Sequence, residues 1–323
     1  MKKQYIQFFV FICIFLLSFG SLYNPFTTDY VNHLKSSSES ITVVGTGDRL
    51  KAEIEKKSIE YNIPAEDAKI DPVWKATPGI NGLQVDVEAS YEKMKKDGRF
   101  DEKKLIFKEL SPKVHLDDLP AEAIYRGNPN KPMVSFLINV AWGNEYIPDM
   151  LETLKKHKIR ATFFLEGRWV KENPDLAKMI VDAGHEVGNH SYTHPNLKTL
   201  STQLVREQLI KTNDVIEAAT GIKPTLFAPP SGSYRDEVVK IAHELGMRTI
   251  MWSVDTIDWQ RPQPHVLVQR VMSKVHPGAM ILMHPTSPTA QSLERLILSI
   301  KQKEYTIDNV STLLSEERII IKK

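Results

Sequence analysis

From residue 133 onward, short apolar runs alternate with stretches whose apolar residues recur every three or four positions. The runs at 133–138, 161–165, 186–188, 225–227, 249–253 and 279–283 predict strands. The stretches at 150–156, 175–182 (closed by Gly184), 237–245, 265–275 and 293–300 predict helices. Strands separated by helices imply a parallel sheet wrapped by helices, open or closed into a barrel. In such folds chemistry gathers at the C-terminal ends of the strands, and polar residues there are the ones to examine.

The first 130 residues are patterned differently. Lys2 and Lys3 precede a mostly apolar run over 5–22, which reads as a cleaved secretory signal or a retained membrane anchor; either places the remainder outside the cytoplasm. Residues 23–47, with Ser36, Ser37, Ser38 and Ser40, read as a flexible stalk. Residues 48–60 predict a helix stopped by Asn62 and Pro64, and Leu83-Gln84-Val85-Asp86-Val87 alternates as a half-buried strand before a helical stretch at 91–96. The expected organisation is therefore a leader over 1–22, the stalk, a small α+β domain over 48–130 and a large α/β domain over 131–323. The breaker-rich stretch Gly127, Asn128, Pro129 and Pro132 marks the boundary.

Composition narrows the classes. Lys+Arg 42 against Asp+Glu 40 gives a net charge of +2, so no basic excess points to nucleic acid. The single cysteine, Cys13, lies in the apolar leader, which rules out a disulfide framework in the folded part.

Three polar clusters follow strands. Gly188-Asn189-His190-Ser191-Tyr192-Thr193-His194-Pro195 places two histidines four apart just beyond a strand, where a turn lets both face one ion. Asp255-Thr256-Ile257-Asp258-Trp259 follows the 249–253 run, and Ile281-Leu282-Met283-His284-Pro285 ends the last strand. A histidine held by a carboxylate is a general acid usable near neutral pH.

These residues resemble the polysaccharide deacetylase (NodB-homology, carbohydrate esterase 4) family over residues 130–320, and within it a sporulation-associated YlxY-like subgroup. Ala161-Thr162-Phe163-Phe164, Ala183-Gly184-His185-Glu186-Val187-Gly188-Asn189-His190, Asp255-x-x-Asp258-Trp259 and Leu282-Met283-His284 match its signature blocks in order. The resemblance implies a deformed (β/α) barrel, preceded here by the small α+β unit, and metal-assisted hydrolysis of the non-peptide C–N bond of N-acetyl groups on chitin-like or peptidoglycan sugars. It implies His190 and His194 as metal ligands, His284 as general acid with Asp258 tuning it, and Trp259, Leu282, Pro229 and Tyr192 as substrate-binding residues.

The first block of the family, Thr-Phe-Asp-Asp-Gly, falls on Leu137-Ile138-Asn139-Val140-Ala141, so the resemblance puts Asn139 at the catalytic-base aspartate and Val140 at the metal-binding aspartate. Ala228 stands where the third block has arginine. With two of three ligands left, zinc is expected to bind weakly, and a neutral amide accepts no proton at working pH. The expectation is weak or absent deacetylation, unless Glu145, Glu166 or Asp255 supplies a carboxylate. The alternatives are a glycan-binding pseudoenzyme, with Trp142, Trp259, Tyr192 and Tyr234 as stacking faces, and a membrane-tethered structural partner. The expected partners are an N-acetylated polysaccharide and, through the leader, a membrane.

Overall fold

The computed structural model describes residues 4, 6–14 and 46–319. Most of the expected leader, and the stalk up to residue 45, lie outside the described residues. Among the described residues no helix is long and apolar enough to cross a membrane.

The described chain clusters into two compact units, one of 46–60 with Asp86–Ile106, the other of Tyr61–Val85 with 107–319. In the first, helix α1 (Thr46–Tyr61) buries Leu50 and Ile54, and helix α2 (Val87–Met94) buries Met94. Asp86 starts α2 by accepting from the Ala89 N–H at 2.9 Å, an N-cap that satisfies an otherwise orphaned donor.

In the second unit, β1 (Lys69–Asp71) pairs antiparallel with β2 (Lys75–Thr77), and β3 (Gly82–Val85) with β4 (Phe107–Leu110). The main sheet contains β5 (Met133–Val140), β6 (Thr162–Leu165), β7 (Glu186–Asn189), β8 (Leu226–Phe227), β9 (Arg248–Thr249), β10 (Val254–Asp255), β11 (Met280–Met283) and β12 (Thr306–Ile307). Every pairing in it is parallel, in the order β10-β11-β5-β6-β7-β8-β9, with β12 added beside the start of β5. Seven strands curl into a half-barrel, and the expected deformed (β/α) barrel is present. Its helices are α3 (Ile147–Lys156), α4 (Gly167–Glu172), α5 (Pro174–Asp182), α6 (Thr202–Thr220), α7 (Asp236–Glu244), α8 (Pro264–Met272), α9 (Ser287–Gln302) and α10 (Val310–Leu314).

Strand β5 has all eight residues buried. Val134, Phe136, Ile138 and Val140 pack into the layer beneath the helices, with Ile147, Leu165 and Leu293 among their neighbours. Met133 and Leu137 point the other way, into a second cluster with Phe164, Ile250 and Met280. This is period-two alternation with both faces covered.

One expected strand is corrected. The run 249–253 is not a single strand, because its N–H groups serve three different partners. Ile250 donates to Phe227 O at 2.7 Å, Met251 to Ile124 O at 2.8 Å and Ser253 to Met280 O at 3.1 Å. Here the chain crosses from one end of the sheet (β9) to the other (β10). Ile124 also donates to Thr249 O at 2.9 Å, and Gly127 to Gly278 O at 2.8 Å, so the 124–127 segment stitches the gap between them.

Close packing at the centre gives a direct test. A Cβ added at Gly188 would lie 2.6 Å from two atoms of the Phe164 ring and 3.0 Å from Leu226 O. Gly188→Ala is expected to destabilise the fold by about 1–3 kcal/mol, read as a lower urea midpoint with an unchanged slope.

Candidate functional site

Asn139, His190, His194, Asp255 and His284, each at or just after the end of a strand, line one cavity of ≈ 370 Å³. Each reaches it by a local device.

Asn139 shares the interior-facing side of β5 with Leu137 and ends up in the cavity wall, 3% exposed. Its Oδ1 has no hydrogen-bond partner among the described residues. Val140, one residue on, faces the other way into the apolar layer under the helices and is 0% exposed. It does not line the cavity.

His190 continues β7, its N–H donating to Leu165 O at 3.0 Å. Its Nδ1–H donates to Ala228 O at 2.8 Å, which leaves Nε2 as the unprotonated nitrogen. Burial, reinforced by His194, pushes its pKa down to about 3. Positive φ at Ser191 (61°) and His194 (54°) turns the loop so that the two rings meet edge to face, centroids 5.0 Å apart. Burial also lowers the pKa of His194. Helix α6 holds this turn in place. Asn189 Nδ2 donates to Leu209 O at 2.8 Å and to Asn213 Oδ1 at 2.7 Å, while its Oδ1 accepts from the Ser191 N–H. Gln208 Oε1 accepts from the N–H groups of Tyr192 and Thr193, both at 2.9 Å. No sequence signal singled out Gln208 or Asn213, which sit among ordinary polar residues of α6.

Asp258 is 0% exposed and lies behind His284. Its Oδ1 accepts from His284 Nδ1–H at 2.8 Å, and Oδ2 accepts from the His284 N–H at 2.6 Å and from Thr289 Oγ1–H at 2.6 Å. Burial pushes this carboxyl up, but the hydrogen bonds and charge of His284, with Thr289, outweigh it and hold the pKa below the ordinary value. Trp142 stacks on the His284 ring, with centroids 5.3 Å apart and planes 15° apart. Ile257, a β-branched residue, is held at φ 52° in the loop that carries Asp258.

Leu282, Trp259, Trp252 and Ser231 also line the cavity. Tyr192 and Pro229 are not among its lining residues. Tyr192 packs over Gly167, where an added Cβ would come within 2.5 Å of the ring, and Pro229 is buried beside the strand end. Tyr234 hydrogen-bonds Tyr125 at 2.8 Å, away from the cavity. Of the three reserve carboxylates, only Asp255 lines it, with Oδ1 accepting from the Ile257 N–H at 2.7 Å. Glu166 caps α4 through the Trp169 N–H, and Glu145 belongs to an adjoining groove. That groove, ≈ 460 Å³, shares Trp142 and Trp259 with the cavity.

A hydrolytic zinc site takes three protein ligands and an open position. The donors lining the cavity are the His190 and His194 imidazoles, the neutral Asn139 amide, His284, which is held by Asp258, and Asp255, which is turned onto the Ile257 N–H. Among the described residues no three His, Cys, Asp or Glu are grouped to hold a metal. The residues present do not fit a hydrolytic zinc centre.

A family model described as polysaccharide deacetylase matches residues 126–250. The peptidoglycan-N-acetylmuramic acid deacetylase PdaA of Bacillus subtilis (strain 168) is 32% identical over 203 residues, covering 61% of this chain and 77% of PdaA. The chain belongs to the polysaccharide deacetylase family. Within that family it is 53% identical over 320 residues to the uncharacterized protein YlxY of B. subtilis (strain 168), covering 99% of this chain and all of YlxY. Among solved structures it resembles BA3943 of Bacillus anthracis, described as a carbohydrate esterase 4 family pseudoenzyme, with TM-score 0.82 and 62% identity over 84% of this chain and 97% of that one. A BA3943 mutant is described as having restored enzymatic activity. Metal dependence is general in the polysaccharide deacetylase family, which makes the donor set here a departure from it.

The buried imidazoles give a pH test. Burial lowers the pKa of His185 to about 4 and that of His190 to about 3, against 6.5 in an exposed ring. As pH falls below 6.5 the unfolded chain takes up protons that the folded chain refuses, so stability falls through the window from 6.5 to 4. The expected slope is up to about 1.4 kcal/mol per pH unit for each ring. Thermal midpoints measured from pH 7 to 4 check it, and His190→Gln is expected to flatten the curve.

Proposed function

We propose that this protein binds N-acetylated cell-wall glycan in the cavity and its adjoining groove, and hydrolyses it slowly or not at all. One observation carries the reading: the cavity wall holds Asn139 and a histidine pair, and its one carboxylate, Asp255, is not grouped with them into a metal-holding cluster among the described residues. On the family resemblance, Asn139 stands at the base position and Val140 at the metal-ligand position. An amide cannot act as a general base, and the loss of a positioned base alone lowers rates by roughly two to four orders of magnitude. PdaA, by its name, acts on peptidoglycan, and BA3943 is described as a pseudoenzyme; both support this reading.

The binding side rests on the aromatic residues. Trp142 is 45% and Trp259 56% exposed, and both stand where the cavity opens into the groove. Large flat rings held half-exposed at a concave surface are well suited to sugar faces, and such aromatics dominate binding energetics. A location outside the cytoplasm, tethered or secreted, fits the basic start and the exposed apolar residues of the helical segment 6–14.

Two experiments test the reading. The unaltered protein, assayed with added zinc on acetylated glycan, is expected to show no deacetylation above background. Asn139→Asp alone is expected to stay without zinc-dependent activity, because it restores a proton acceptor and leaves the histidine pair without a third metal ligand. Deacetylation at ordinary family rates by the unaltered protein would refute the proposal. Trp259→Ala is expected to weaken retention on insoluble peptidoglycan about tenfold, with the thermal midpoint unchanged; undiminished retention removes the stacking role.

A further inference from the structure

We propose that the groove beside the cavity reads a zwitterionic peptide carried by the glycan, with Arg261 taking its carboxylate and Glu145 its ammonium. The inference rests on the glycan-binding reading above and narrows the ligand from bare glycan to peptide-bearing glycan.

The starting point is a pair of opposite charges that line one concave surface and do not meet. Of the residues lining the ≈ 460 Å³ groove, Glu145 and Arg261 are the two that carry a formal charge. Both are exposed, and neither side chain makes an ion pair or hydrogen bond among the described residues. The nearby carboxylates are already engaged, Asp258 by His284 and Thr289, Asp255 by the Ile257 N–H.

Two braced loops hold the charges apart. Glu145 lies in the turn ahead of α3, next to Asn144, whose Oδ1 accepts from Trp169 Nε1–H at 2.6 Å and whose Nδ2 donates to Asn173 Oδ1 at 2.7 Å. Gly143, at φ 83°, lies against Pro285 O with no room for a Cβ. Arg261 is held at φ 52°, its N–H donating to Asp258 O at 2.8 Å. A residue with a side chain keeps such a φ only where its surroundings enforce it. Pro262, Pro264, Pro285 and Pro288 fix φ around the rest of the groove. Charges on stiff loops do not relax onto one another, so water or a ligand supplies their partners.

The chemistry of that ligand follows from the pair. A guanidinium holds a carboxylate through two parallel N–H bonds, and a carboxylate accepts from an ammonium. A ligand with one charge meets one partner and one opponent, whereas a ligand with both satisfies both. Gln263 and Gln291 line the same groove, and a carboxamide offers the donor and acceptor that match a peptide group. Trp142 and Trp259 are shared with the cavity, so a sugar seated on those rings directs its substituent into the groove. Exposed ion pairs contribute little each. Glu145 and Arg261 therefore discriminate between ligands, while the aromatic rings supply most of the affinity.

The test is calorimetric titration of the full-length protein at neutral pH with three ligands. They are peptidoglycan fragments whose peptide stems carry free amino and carboxyl groups, the same fragments with the stems hydrolysed off, and tetra-N-acetylchitotetraose. The stem-bearing fragments are expected to bind roughly five- to tenfold more tightly than either of the others. That advantage is expected to shrink as salt is raised from about 0.05 M to about 0.5 M. Arg261→Gln and Glu145→Gln are each expected to lose about threefold for the stem-bearing ligand, and the double variant to lose the preference. Thermal midpoints are expected to stay within a few degrees of the parent, because both side chains face solvent. Trp259→Ala is expected to weaken all three ligands alike, which separates stacking from charge reading. Equal affinity for fragments with and without stems overturns the inference and leaves glycan binding standing, as does a preference undiminished in the double variant. Tighter binding of the stem-free fragments also overturns it, in favour of a lone carboxylate at Arg261. Binding of none of the three, together with no retention on peptidoglycan, sinks both readings.

Discussion

Strand β5 is enclosed on every side, and that enclosure sets what its last residues can be. β11 pairs with one edge, β12 and then β6 with the other, and all eight side chains are buried. An ionised carboxylate at the end of such a strand is tolerated only beside a cation or a full set of donors, because taking a charge out of water is costly. Where no ion is held, a neutral amide at 139 and an aliphatic residue at 140 are the stable choices.

The same reasoning explains why other parts of the site persist. Asp258 and His284 look like catalytic apparatus, yet they also carry structure. The Asp258 carboxylate joins the loop after β10 to the end of β11 through His284, and to the first turn of α9 through Thr289. Removing it would strand buried donors on two elements. Asn189 plays a comparable part for the histidine loop, tying its first turn to α6. Retention of such residues is accounted for by packing and hydrogen bonding alone, without appeal to turnover.

Much of this was legible in the sequence because the parallel sheet shows as apolar runs with polar residues directly after them. His190, His194, Asp258 and His284 stand in such positions, whereas Leu282 and Trp259 are singled out by the family resemblance. The misplacements have physical reasons. Tyr192 lies between two cavity-lining histidines in sequence, but its ring covers Gly167 instead, and only the close approach of two backbones reveals that. The run 249–253 looks like a strand because of the apolar Ile250-Met251-Trp252 at its centre; its hydrogen bonds go to three partners, which no periodicity records. Asn139 and Val140 were legible as neighbours in a strand, whereas their opposite facing becomes plain only once both surfaces of β5 are seen to be covered.

The stitch made by Ile124 and Gly127 alters how the chain can be divided. The glycine- and proline-rich stretch before β5 has the composition of a hinge, but the backbone just ahead of it shares hydrogen bonds with Thr249, Met251 and Gly278. A recombinant fragment beginning at residue 131 would leave those amides and carbonyls unpaired at the seam of the half-barrel, the kind of open edge that recruits other chains. The barrel is therefore not a detachable module: its wall is finished by residues that precede it.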